Sequence, residues 1–172
     1  MFLSKRGNIY YLWFVDQFDK RQKVSTHART KAERVQFLQK TREIAKGLKR
    51  VEFAVDWILT SPLLRALETA EIVRDTLKLD TPFDHCDALR PGLKAEELMK
   101  FLCKRPERKR VLLVGHEPDL GQLAASLLGA GDEANLTFKK GGCCLIAVEQ
   151  LPPRSPGELV WWLSPRVLRA LA

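Results

Sequence analysis

Short apolar runs alternate along this chain with stretches whose apolar positions recur at helical spacing. The runs at 9–15, 54–60, 82–86, 110–115, 143–149 and 158–163 are aliphatic or aromatic and bounded by turn residues, which predicts buried strands. Helices are predicted over 39–50, 62–77, 94–104 and 118–129. In the second of these, Leu63, Leu67, Ala70, Val73 and Leu77 form one apolar stripe. In the fourth, Leu120, Leu123 and Leu127 do the same. Strands alternating with amphipathic helices imply an α/β fold, a three-layer sandwich with a mostly parallel central sheet flanked by helices. The Pro152-Pro153-Arg154-Ser155-Pro156-Gly157 turn makes the last two strands an antiparallel pair. There is no internal repeat and no linker, so residues 1–172 read as one domain.

Two strand-to-helix junctions carry candidate chemistry. Ile58-Leu59-Thr60-Ser61-Pro62-Leu63-Leu64-Arg65 and Val111-Leu112-Leu113-Val114-Gly115-His116-Glu117-Pro118 each end an apolar run in residues able to hold a phosphate. Ligands of open α/β sheets sit at the carboxyl ends of the strands. Ser61 is a good N-cap and Pro62 suits the first helical position. Arg65, one turn on, is placed to grip a phosphoryl group beside the positive end of the helix. His116 likewise ends a strand, with Pro118 opening the next helix. Simpler roles compete: Ser61 as a cap alone, Arg65 as a surface arginine, His116 as a structural histidine.

Charge is distributed unevenly. Residues 1–50 hold thirteen Lys and Arg against four Asp and Glu, whereas residues 51–172 hold sixteen against seventeen, so the net charge of +8 comes from the N-terminal segment. Such asymmetry suits an arm attracted to nucleic acid or membrane. At 172 residues and 45% apolar content the chain can build one core without metal or disulfide support. No apolar run approaches the roughly 20 residues that span a bilayer, and the N-terminus lacks a signal-peptide core, so a cytoplasmic protein is expected. Cys86, Cys103, Cys143 and Cys144 show no metal-type spacing and read as reduced thiols. Zinc and dinucleotide motifs are absent. His27, with no strand before it, reads as a loop residue, and His85 as a packed strand residue. The Lys104-Arg105-Pro106-Glu107-Arg108-Lys109-Arg110 cluster precedes a strand and reads as a solvated loop, with no interleaved aromatics to stack bases. Trp161 and Trp162 alternate across a strand.

In order along the chain, Lys40-Thr41-Arg42-Glu43-Ile44-Ala45-Lys46-Gly47-Leu48, Thr60-Ser61-Pro62-Leu63-Leu64-Arg65-Ala66 with Thr69-Ala70-Glu71-Ile72, Ala88-Leu89-Arg90-Pro91-Gly92, Val114-Gly115-His116-Glu117-Pro118, Phe138-Lys139-Lys140-Gly141-Gly142 and Trp161-Trp162-Leu163-Ser164-Pro165 resemble the histidine phosphatase superfamily. The phosphoglycerate-mutase-like fold is implied, and within it the short SixA-type phosphohistidine phosphatase branch. The resemblance runs from about residue 39 to the C-terminus. It implies a covalent phosphohistidine intermediate hydrolysed by water, with two arginines and His116 holding the phosphoryl oxygens and neither metal nor cofactor required. The nucleophile of such proteins lies in an Arg-His-Gly triplet after the first strand, and no Arg-His-Gly occurs in this sequence. One alignment puts Phe14-Val15-Asp16 there, and another uses Leu3-Ser4-Lys5-Arg6-Gly7, in which Arg6 stands for the triplet arginine and joins Ser61 as a substrate-binding candidate. A displaced reading frame, a selected basic arm and an unplaced family variant all remain open for residues 1–38. The resemblance implies action on a phosphorylated protein, phosphohistidine of a signalling protein above all, or on a small phosphate ester; a monomer is expected, though the sequence does not identify the oligomeric state. Two other readings stand beside it: a catalytically silent binder of phosphate or phosphoprotein, and, less favoured, a nucleic-acid binder using the arm.

Overall fold

The structure is a computed structural model that describes residues 10–17, 31–131, 134 and 136–172. Its chain order is β1 (Tyr10–Gln17), α1 (Lys31–Leu48), β2 (Trp57–Thr60), α2 (Leu64–Leu77), β3 (Phe83–His85), α3 (Ala95–Leu102), β4 (Arg110–His116), α4 (Asp119–Leu127), β5 (Cys143–Val148), β6 (Glu158–Leu163) and α5 (Pro165–Ala170). The strands form one sheet in the order β3-β2-β4-β1-β5-β6. The first four in that order run parallel, β5 runs against β1, and β6 runs against β5.

Strict alternation along the strands makes the three layers. In β4, Val111 and Leu113 face one apolar cluster and Leu112 and Val114 face the other. In β5, Cys144, Ile146 and Val148 share the first face, and Cys143 and Leu145 the second. Successive side chains of a strand point to opposite faces, so a strand buried on both sides must be apolar throughout. Leu98 and Leu102 of α3 and Leu120, Leu123 and Leu127 of α4 cover the first face. The second is covered by α1 through Ile44, Ala45 and Leu48, by α2 through Ala66, Ala70 and Val73, and by α5 through Leu168. This is the α/β sandwich that the pattern implied. The tryptophans of β6 divide between the faces: Trp162 stacks on Phe138 with ring centroids 4.0 Å apart, and Trp161 packs on the opposite cluster.

Several elements differ from the sequence expectation. Helix α1 begins at Lys31 rather than 39, because Lys31-Ala32-Glu33-Arg34 are good helix formers. Its buried face repeats at Phe37, Thr41, Ile44, Ala45 and Leu48. Helix α5 was not expected at all, although Ser164-Pro165 is a cap and first-turn signature: the Ser164 hydroxyl accepts from the Val167 N–H at 3.4 Å. Strand β1 runs two residues further than expected, through Gln17.

The basic 104–110 segment lies at the amino end of β4, away from the carboxyl ends of the parallel strands. Asp56 organises it, its carboxylate accepting from the N–H groups of Lys109 at 2.9 Å and Arg110 at 3.1 Å. The Arg105 guanidinium rests 5.6 Å from the centroid of the buried Trp57 ring. Among the described residues, no helix is long and apolar enough to cross a membrane.

Candidate functional site

Parallel pairing of β2, β4 and β1 brings their carboxyl ends to one edge of the sheet. Thr60 pairs with Val114, and the next residue, Ser61, donates its N–H to the Val114 carbonyl at 2.8 Å. One strand residue beyond Gly115, His116 is 6% exposed. Its Nε2 and the Ser61 hydroxyl are hydrogen-bonded at 2.9 Å, and Ser61 is fully buried. Two candidates separated by 55 positions are therefore in direct contact. Either group can donate, depending on the imidazole tautomer.

Ser61 does not serve as the N-cap expected of it. Leu63 stays extended as the cap residue, and α2 begins at Leu64. The hydroxyl accepts a long bond from the Leu63 N–H at 3.4 Å while its shorter bond goes to His116. Pairing with β4 holds Ser61 in the sheet, so the helix starts later. Arg65 is consequently the second residue of α2, where it is exposed. It lies four positions after Ser61, a span of at most about 14 Å even when fully extended, so it stands on the first turn above the same sheet edge.

Neighbouring groups hold this edge together. The Cys86 N–H donates to the Thr60 carbonyl at 2.9 Å, joining the end of β3 to β2. Gly92, at φ +84°, turns the chain after β3 and donates its N–H to the Asp119 carboxylate at 2.8 Å, fastening that turn to the start of α4. Beside His116, the Glu117 carboxylate accepts from the Gly121 N–H at 3.0 Å. Burial pushes the Glu117 carboxyl above its ordinary pKa, opposed by backbone hydrogen bonds from Phe138 and Gly121 and reinforced by the Asp119 charge. Asp119 and Glu117 escaped the sequence reading; acidic residues at the start of a helix, beside a strand-ending histidine, were the available signal.

His85 departs from expectation, because it is exposed at the end of β3 rather than packed. An edge strand of three residues leaves it a single neighbouring strand, and its ring stands edge-on to Phe83 with centroids 6.2 Å apart. The assignment of Phe14-Val15-Asp16 to the triplet position also changes. Phe14 and Val15 pair with Leu113 and Val114 inside the sheet, whereas Asp16 is level with Gly115 and Gln17 with His116. Arg6 and His27 lie outside the described residues. No group of three or more His, Cys, Asp or Glu residues among the described ones is arranged to hold a metal ion.

The family model described as histidine phosphatase superfamily (branch 1) matches residues 38–91, which include Ser61 and Arg65. An uncharacterized protein of Picosynechococcus is 34% identical over 134 residues, covering 75% of this chain and 80% of that protein. The chain belongs to the histidine phosphatase superfamily. Solved structures show the fold of this superfamily member again. The protein histidine phosphatase SixA, complexed with tungstate, matches with a TM-score of 0.73 at 23% identity, covering 92% of this chain and 99% of that one. Phosphoglycerate mutase from Plasmodium falciparum matches with a TM-score of 0.65 at 17% identity over 90% of this chain and 91% of that one. A phosphoserine phosphatase mutant from Entamoeba histolytica, in complex with phosphoserine, matches with a TM-score of 0.62 at 16% identity over 92% and 99%.

Proposed function

We propose that this chain is a SixA-like member of the superfamily whose Ser61–His116–Arg65 edge receives the phosphoryl group of phosphohistidine on a signalling protein, with hydrolysis impaired. The observation that carries this reading is the buried Ser61–His116 hydrogen bond at 2.9 Å, at the carboxyl ends of adjacent parallel strands and immediately before the helix that bears Arg65. A protonated imidazole and a guanidinium are the donors that a doubly charged phosphoryl group needs, since hydrogen bonds to charged groups contribute about 1.5–3 kcal/mol each. Fixed cationic donors also stabilise developing charge on phosphoryl oxygens without a cofactor. The SixA relative was solved with tungstate, a tetrahedral oxyanion of the same shape class. A small phosphate ester would engage the same groups. Four cysteines that form no disulfide accord with a reducing, cytoplasmic setting, where we place the chain as a monomer.

A second reading, a catalytically silent phosphate- or phosphoprotein-binding relative, is favoured by one observation. The β1 positions level with Gly115 and His116 are Asp16 and Gln17, and neither can form a phosphohistidine. Incubation with radiolabelled phosphoramidate, beside a measurement of oxyanion binding, tests these readings. We expect saturable binding of inorganic phosphate or tungstate, weakened roughly tenfold or more by Arg65→Ala or His116→Ala, and no acid-labile phosphoryl-enzyme. A label mapped to any histidine refutes the impairment. Oxyanion binding that is absent, or indifferent to both substitutions, refutes the site.

A further inference from the structure

A groove of about 540 Å³ runs along α5, lined among others by Lys139, Ser164, Arg166, Val167, Arg169 and Leu171. We propose that it docks a carboxylate-rich, apolar-faced segment of the phosphoprotein whose phosphoryl group enters at Ser61 and His116. This inference rests on the phosphoprotein reading above and names how that partner is held.

Position is the first argument. Strand β6 runs parallel to β1 and β4, so its carboxyl end, from which α5 departs, lies at the same edge of the sheet as His116. Leu163 pairs with Cys143, Cys143 with Val15, and Val15 with Val114, two residues before His116. Three strand spacings separate β4 from β6, about 14 Å. A specific protein interface covers about 800 Å² on each partner, a patch about 30 Å across. A protein seated over His116 therefore reaches the groove as well.

Charge is the second. The groove has three cationic side chains and no carboxylate in its lining. Among the described residues Lys139, Arg166 and Arg169 form no ion pair. Clustered cations of this kind select and steer an acidic partner.

Apolar exposure on a rigid support is the third. Val167 is 43% and Leu171 37% exposed, while Leu168 between them is fully buried against α1 and holds the short helix in place. A fixed helix spares the cost of ordering the backbone when Arg166 and Arg169 pair. The lining contains no aromatic ring on which a base could stack, which favours an acidic polypeptide over a nucleic acid.

The test uses peptides carrying a non-hydrolysable phosphohistidine analogue, flanked either by Glu and Leu or by Lys and Leu, together with the unphosphorylated Glu/Leu peptide, inorganic phosphate and a single-stranded RNA. The Glu/Leu flank should strengthen binding by about tenfold over the Lys/Leu flank. That advantage should vanish in the Arg166→Glu/Arg169→Glu variant and shrink in Lys139→Glu, a change outside α5, while inorganic phosphate still binds as in the parent. Equal affinity for the two flanks, or an advantage that survives both variants, overturns the proposal. So does RNA that binds more tightly than the acidic peptide and is lost in the same variants. Failure of the parent protein to bind inorganic phosphate overturns the phosphate site instead, and the unphosphorylated peptide then decides the groove by the same two variants.

Discussion

A hydroxyl and an imidazole shut away from water hold each other more firmly than either would be held at the surface. Removing one partner leaves the other buried and unsatisfied, at about 1–3 kcal/mol. Ser61→Ala should therefore lower stability by that amount in urea denaturation without phosphate, and should also weaken phosphate binding in calorimetry by freeing the His116 ring to turn. A role for Ser61 confined to the Leu63 N–H would predict a much smaller stability loss, because that bond is long at 3.4 Å. Glu117 supplies a test in pH. Its carboxyl is raised chiefly by burial, so the folded state disfavours the charged form. The stability associated with the protonated group is fully present below the ordinary carboxylate pKa and is lost as pH rises through the raised value. Glu117→Gln, which cannot ionise, should therefore gain stability relative to the parent as pH is raised from 4 towards 7 (roughly the range spanned by such shifts), as measured by urea midpoints across that range. A difference that shrinks with rising pH would contradict this.

At the scale of elements, close approach decides what propensity cannot. Gly47 lies within α1, where alanine is preferred over glycine by about 1 kcal/mol. A Cβ at that position would land on the Leu168 carbonyl oxygen of α5. Overpacking a fixed backbone costs about 1–3 kcal/mol, more than the propensity gain. Gly47→Ala should therefore lower the denaturation midpoint, and α5 should come loose from α1, which hydrogen exchange of the Val167 and Leu168 amides would detect. Unchanged stability would mean that α5 is not seated on α1. Ser164-Pro165 was the visible signal for α5, yet no helix was expected after β6, because six residues are too few to establish a helical period. The strands were more legible. Those buried on both faces are almost wholly apolar, so β4 and β5 could be placed within a residue of their ends.

At the scale of the whole molecule, the pairing of β1 with β4 determines where chemistry could be restored. Because Gln17 is level with His116, a triplet written as Asp16→Arg, Gln17→His and Phe18→Gly should yield an acid-labile phosphoryl-enzyme, whereas one written over residues 14–16 should not. Phosphoramidate labelling of the two designs checks this, and the reverse pattern would show that the register is wrong. By itself the sequence determined the alternation of apolar strands and amphipathic helices, the α/β class, the phosphate-compatible ends of β2 and β4, and the lack of an Arg-His-Gly triplet, since each is a property of local order and residue type. Only the tertiary structure decided that Ser61 spends its hydroxyl on His116 rather than on a helix cap, that β1 continues to Gln17, and that Arg166 and Arg169 of α5 line one groove with Lys139. Those outcomes depend on which strand lies beside which and at what offset, and strand register is set by long-range pairing and burial that no short stretch of residues encodes.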